Sequence, residues 1–139
     1  MIRYLLDTNV ISEPARPNCS DQVVDRLEAH SDEAALPSIV WHELVYGVQR
    51  MDEGRRRSYL AGYLREVVRP SMPILPYDQA AAQWHGTARA ELEAQGLTQP
   101  FADGQIAAIA VTRELILVMR NTSDFSAYDE LHVENWFAD

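Results

Sequence analysis

Four carboxylates in this sequence stand where elements begin or end. Asp7 follows directly on the apolar run Ile2–Leu6. Glu43 lies one turn into a helix predicted to open at Ser38. Asp103 stands at the start of "ADGQIAA", and Asp124 in the polar loop after "LILVM". Carboxylates gathered in one small space repel one another, so some stay protonated or the site opens. A divalent cation removes that conflict. Mg²⁺ takes oxygen ligands octahedrally at about 2.0–2.1 Å and keeps several waters. Held by acids, it suits phosphodiester hydrolysis, because it orients the phosphate, lowers the pKa of a bound water and steadies the leaving oxygen. Taken singly, each acid also fits a plainer role. Asp7 and Asp124 suit turns, Asp103 the positive end of a helix, and Glu43 a solvated helix face. The weight lies in the combination.

The elements that must position these acids alternate between strands and helices. Ile2–Leu6 reads as a buried strand. Asp21–Ala29 reads as a short helix with Val23, Val24 and Leu27 on one face, and Ala34–Pro37 as a second strand. Ser38 is the predicted N-cap of a helix in which Val40, Leu44 and Val48 fall four apart, and Gly54 breaks it. Leu60, Leu64, Val67 and Val68 mark another helix, ending before Pro70. "MPILP" (Met72–Pro76) is a strand that its prolines push to a sheet edge. Asp78 caps the next helix, with Trp84, Ala88 and Leu92 inward and Gly96 at its end. A small-residue helix over Ala102–Leu115 leads into the strand Leu115–Met119, then a loop over Arg120–Ser126 and a last strand near Leu131–Val133. Such alternation predicts an α/β fold with a mostly parallel sheet covered on both faces. Ligands then bind beyond the carboxyl ends of the strands. Asp7 and Asp124 belong at that edge, and the helix acids at N-termini that can face it. Val10-Ile11 returns under the fold.

Length and composition narrow the class. The chain has 139 residues, enough for one domain over 1–139. No apolar stretch reaches the roughly 18 residues of a membrane span, and "MIRYLLDTNV" does not read as a signal peptide. Cys19 is the only cysteine, which excludes an internal disulfide and a zinc cluster and predicts a reducing, cytoplasmic setting. Net charge is −9, unlike a general nucleic-acid coating protein, though metal-binding acids themselves count in that sum. All twelve basic residues are Arg. The cluster Arg55-Arg56-Arg57, with Arg50, Arg65 and Arg69 around it, suits RNA phosphate or an acidic partner, or else a solvated helix start. Trp41, Tyr46, Tyr59 and Tyr63 suit either interface anchors or core packing. His42 reads as structural or partner-facing, since neighbours on a helix point apart.

Four strings together resemble the PIN-domain family, and most of all its VapC and FitB-type toxin ribonucleases, which pair with small antitoxins. They are "LLDTNVIS" (Leu5–Ser12), "SIVWHELVYGV" (Ser38–Val48), "ADGQIAAIA" (Ala102–Ala110) and "LVMRNTSDF" (Leu117–Phe125). The closing "VENWF" is similar to the family's C-terminal strand and Trp. The resemblance implies a PIN-like domain with an acidic pocket built by Asp7, Glu43, Asp103 and a fourth group. It implies Asp7 and Asp103 as direct Mg²⁺ ligands, with Mn²⁺ the other ion the set would accept. Glu43 would help hold metal or its water; Thr8 and Asn9 would fix the Asp7 turn. For the fourth position the expectation is Asp124, with Asn121 a neutral supporting or substrate contact and Arg120 beside it touching phosphate. Met119 departs from the Thr many relatives carry there, and fits a core substitution.

The expected activity is Mg²⁺-dependent endoribonuclease action by a metal-bound water, leaving a 5′-phosphate and a 3′-hydroxyl. The expected partners are RNA, a small antitoxin and a second copy of the chain, with no membrane. Two other readings compete. A phosphohydrolase of the HAD type also opens on a strand and an Asp, but wants a second Asp where this chain has Asn9. A non-catalytic PIN-like module that only binds RNA or protein should tolerate Asp103→Asn without losing its effect.

Overall fold

The computed structural model describes residues 1–137. Five short strands form its sheet: β1 (Tyr4–Leu6), β2 (Ala34–Pro37), β3 (Ile74–Leu75), β4 (Ile116–Val118) and β5 (Val133–Glu134). They run in the order β3-β2-β1-β4-β5 and every pairing is parallel. Tyr4 pairs with Ala34 on one side and Ile116 on the other, and Leu6 pairs with Val118. The central strands are apolar throughout because both faces are covered. Leu5, Leu6, Leu36, Leu117 and Val118 are fully buried.

This order has a functional consequence. The chain steps outward from β1 to β2 and β3, then crosses back to β4 on the other side of β1. Parallel crossovers are right-handed, so reversing the direction moves the connecting helices to the opposite face. Between β1 and β4 the connections diverge, which opens a crevice at the carboxyl ends of those two strands.

The connecting segments are α1 (Thr8–Ile11), α2 (Asp21–His30), α3 (Ser38–Gln49), α4 (Arg55–Tyr63), α5 (Arg69–Ser71), α6 (Gln79–Ala94) and α7 (Phe101–Thr112). Val10 and Ile11 return into the core, as the sequence predicts. Asp78 caps α6 by accepting from the Ala81 N–H at 3.0 Å, and β3 lies at the edge.

Several boundaries differ from expectation. Pro37, not Ser38, is the N-cap of α3; Ser38 is already helical and bonds nothing as a cap. That helix ends at Gln49, before Gly54, which instead precedes α4. Helical structure does not stop at Pro70. It widens into a π turn over Leu64–Val68 and continues through Ser71. Pro70 has no N–H and its ring crowds the carbonyl four residues back, and the widened turn lies immediately before it. The inward face of α6 is deepest at Ala81 and His85, with Trp84, Ala88 and Leu92 only half-buried. α7 stops at Thr112, not Leu115, because Glu114 turns left-handed (φ 55°). The Leu115 N–H then reaches the Ala110 carbonyl at 2.8 Å and that of Glu114 the Val111 carbonyl at 3.1 Å, a Schellman closure. The last strand is Val133–Glu134, paired with Leu117 and Val118, rather than Leu131–Val133. The loop after β4 contains a 3₁₀ turn, Thr122–Phe125.

Candidate active site

Asp7 is placed by the end of β1. Its N–H donates to the Val118 carbonyl at 3.0 Å, the last rung between β1 and β4. Its own carbonyl accepts from Val10 and Ile11 at 3.1 and 3.2 Å, which starts α1 at once. The strand therefore hands its terminal carboxylate to the crevice rim before the chain turns down. α1 has only four residues, too few to hold itself. Tyr63 anchors it by donating its hydroxyl to the Ile11 carbonyl at 2.7 Å. Burial, and then the neighbouring Tyr59, push that phenol up to about 12, so it stays a donor. Tyr63→Phe is expected to cost about 1 kcal/mol, read as a lower urea midpoint with unchanged slope. An unmoved midpoint would show that α1 does not depend on this bond.

Asp103 lies in the first turn of α7, half-buried, and Asp124 is exposed in the 3₁₀ turn after β4. These two and Asp7 share one electrostatic field. Burial raises the Asp7 carboxyl above its ordinary value and the Asp124 charge raises it further, while the Thr8 backbone N–H opposes both. Burial also raises Asp103, with Asp7 and then Asp124 adding to it. Tyr128, buried nearby, is raised by burial first and then by Asp103. The crevice thus holds repelling negative charges with no cation of the protein among these causes.

Glu43 is exposed on α3 and lines two clefts. One, about 220 Å³, it shares with Thr8 and Ser12. The other, about 340 Å³, it shares with His42, Tyr77, Ala102 and Gln105. It thereby spans the gap between the Asp7 turn and the start of α7. Asn9 and Asn121 are exposed; the Asn121 carbonyl accepts from the Asp124 N–H at 3.0 Å, setting that turn. The Arg120 guanidinium lies 4.7 Å from the centre of the Phe137 ring. Met119 is buried in the core.

The donor set is oxygen only, which suits a hard divalent ion over a soft one. Among the described residues no three His, Cys, Asp or Glu side chains converge into a complete metal cage. Mg²⁺ needs none, since it is held by one or two carboxylates with waters and substrate phosphate completing its shell. Asp7 with Asp103 fits that requirement.

Other side chains are engaged differently from the sequence reading. Arg57 donates from Nε to the Val48 carbonyl at 3.3 Å, at the C-terminal end of α3, where a cation is favourable. Arg56 donates to the Ala15 carbonyl at 3.1 Å. Two of the three clustered arginines are thus tied to backbone, and Arg55 stands exposed. Tyr46 and Tyr59 are each 54% exposed, whereas Trp41 and Tyr63 are half-buried. His85 and Tyr128 adjoin the site without any advance signal beyond their residue types. Gly104, a poor helix former beside Asp103, was the available clue to His85.

The comparisons with known proteins agree with this fold. A family model described as PIN domain matches residues 4–131. The chain is 34% identical to Toxin FitB of Neisseria gonorrhoeae, over 95% of this chain and 97% of that one. It is 31% identical to the tRNA(fMet)-specific endonuclease VapC of Shigella flexneri, over 98% and 99%. The crystal structure of FitAcB from Neisseria gonorrhoeae superposes with a TM-score of 0.89 at 34% identity, covering 98% of this chain and 99% of that one. With a parallel sheet that reverses direction beside Asp7 and a family match spanning every strand but the last, the chain belongs to the PIN-domain family.

Proposed function

We propose that this protein is a divalent-metal-dependent endoribonuclease, the toxin of a type II toxin–antitoxin pair. The observation that carries it is the crevice shared by Asp7, Asp103 and Asp124, in which burial first and then a neighbouring carboxylate raise Asp7 and Asp103. The names of its relatives support the class: a toxin and a tRNA(fMet)-specific endonuclease. Mg²⁺ is the expected ion and Mn²⁺ the expected substitute.

When bound, the cation supplies charge neutralisation at the scissile phosphate and a water of lowered pKa. The residues of the chain set the geometry. Asp7 and Asp103 present the donor oxygens from two rigid elements, the end of β1 and the first turn of α7. Asp124 deepens the negative potential that draws the cation in. Glu43, on the wall between the two clefts, faces the substrate side and accepts a proton or orients water there. Thr8 holds the Asp7 carboxylate through its N–H. Arg120, exposed with its guanidinium over the Phe137 ring, is the residue proposed to meet phosphate, and the Asn121 carbonyl fixes the Asp124 turn. The products carry a 5′-phosphate and a 3′-hydroxyl.

The proposed partner is a small antitoxin, a reading supported by the name Toxin FitB and by VapBC-5 of Mycobacterium tuberculosis, 26% identical and described as a member of a family of toxin-antitoxin systems. Exposed Tyr46 and Tyr59, each near an Arg guanidinium, suit the contact between two copies. No described helix is long and apolar enough to cross a membrane. The test uses antitoxin-free protein with total bacterial RNA, in Mg²⁺ or in chelator, and sequencing of new 5′-phosphate ends. The expected result is a discrete set of ends only with metal. An identical set in chelator would defeat the metal-dependent reading.

A further inference from the structure

Gly104 follows Asp103 inside the first turn of α7 and is buried. Glycine is costly within a helix, and no left-handed backbone is found at this position. Its reason is space. A Cβ there would overlap the His85 Nε2 and come within 2.7 Å of Cδ2. His85 reaches across from α6 and is 4% exposed. Its Nδ1 lies 2.8 Å from the Tyr77 hydroxyl, and its ring packs 4.9 Å from that of Phe101. Tyr77 in turn lines the cleft that holds Glu43 and Gln105. One connected set of contacts runs from the Glu43 cleft, through Tyr77 and His85, to the backbone that presents Asp103.

We propose that His85, oriented by Tyr77, is a positioning residue that sets Asp103 against Asp7, and that residue 104 is glycine to admit its ring. Burial, then Arg89, hold the imidazole below its ordinary value. It is therefore neutral near pH 7 and acts by shape and its hydrogen bond. The proposal rests on Asp103 as a metal ligand. A shift of about 1 Å in a reacting group can cost about a hundredfold in rate, so the ring's seat is a sensitive control.

The test is a cycle of Gly104→Ala, His85→Ala and the double variant, with Tyr77→Phe as a mild fourth. Mn²⁺ affinity without RNA, thermal midpoint and RNA cleavage are measured separately, well below the lowest midpoint. Helix propensity alone predicts a more stable Gly104→Ala protein. We expect instead about a tenfold loss of Mn²⁺ affinity and about a hundredfold loss of kcat with KM little changed. The double variant should recover to the level of His85→Ala and no further, because the overlap is gone but so is the ring that positions Asp103. Tyr77→Phe, which keeps the ring, should weaken Mn²⁺ binding measurably but by less than the roughly tenfold lower bound for partners that bond a metal ligand directly, because it acts through His85.

A cycle that moves only the midpoint, with Mn²⁺ affinity unchanged, makes the contact structural and overturns the proposal. So does a double variant no better than Gly104→Ala, or a wild type that binds no Mn²⁺. If Gly104→Ala does not fold, Tyr77→Phe and His85→Ala decide, and unaltered Mn²⁺ affinity in both overturns it. If Mn²⁺ affinity follows the cycle while wild type cuts no RNA, the positioning role stands and the nuclease reading fails.

Discussion

Asp103→Asn is expected to lower RNA cleavage by about a hundred- to a thousandfold and, in the same protein, to raise metal-free stability. The two effects share a cause. Asp103 is held above its ordinary value of 3.8 by burial and by Asp7 and Asp124, so its ionised form destabilises the fold. Amide replacement removes that charge at nearly constant volume. It also removes a cation ligand. The pH dependence has a definite sign. Above the raised folded values, Asp7 and Asp103 are charged in both states and the folded state bears the full repulsion. As pH falls through those values the folded protein takes up protons first, so stability rises, and the gain is complete below about 3.8. Glu33 works the other way. His30 and then Arg3 hold it below its ordinary value, so its contribution is lost on acidification. The informative quantity is therefore wild type minus variant, from urea unfolding in chelator between neutral and mildly acidic pH. Adding Mg²⁺ should invert the ranking, because a ligand at a hundredfold excess over its Kd stabilises by about 2.7 kcal/mol and the variant has lost an oxygen donor. Asp7→Asn should behave alike. A variant that cuts as fast as wild type ends the acid-site account, and one that gains no stability ends the repulsion account.

Trp136→Ala is expected to cost about 3–5 kcal/mol, a large share of the 5–15 kcal/mol that holds a typical domain together. The indole is 2% exposed. It meets Tyr4 edge-on, with centroids 5.2 Å apart at 68°, and donates from Nε1 to Glu134 at 3.1 Å. β5 has two residues and cannot sustain itself by ladder bonds. Trp136 is what clamps it to β1 and, through β4, steadies the loop that carries Asp124. Guanidinium unfolding should show a lower midpoint at an unchanged slope. Trp136→Phe should recover part of the loss. A change below about 1 kcal/mol would mean that the C-terminal segment is a passenger.

The sequence was most legible where local chemistry and long-range packing asked for the same thing. Ala34–Pro37 is apolar, short and closed by proline, and it is β2 over that same range. Asp78 reads as a cap because its side chain satisfies a bond three residues away. Asp7, Asp103 and Asp124 share one electrostatic field, and each stands near the start or end of an element, where the ends gather at one sheet edge; Glu43 lies inside α3. What stayed hidden depended on partners far along the chain. Nothing local predicts that helical structure runs on through Pro70, because a π turn is a tertiary compromise. Glu114 in a left-handed conformation has no signal, since Gly or Asn is the expected residue there. His85 touches Gly104 from 19 positions away, and a lone histidine on a helix is silent about what it meets. One role of the arginine cluster was hidden for a similar reason: Arg57 opens one helix in sequence and closes another in space.

The brevity of the outer strands governs how this molecule can assemble. β3 and β5 have two residues each, and β3 sits between Pro73 and Pro76, which offer no N–H. A sheet edge that short and that poor in donors is no template for another strand. Continuation of the sheet into a neighbour is thereby disfavoured. A second copy or a partner chain is expected to engage the helices or the acidic rim, where binding and inhibition would be the same event.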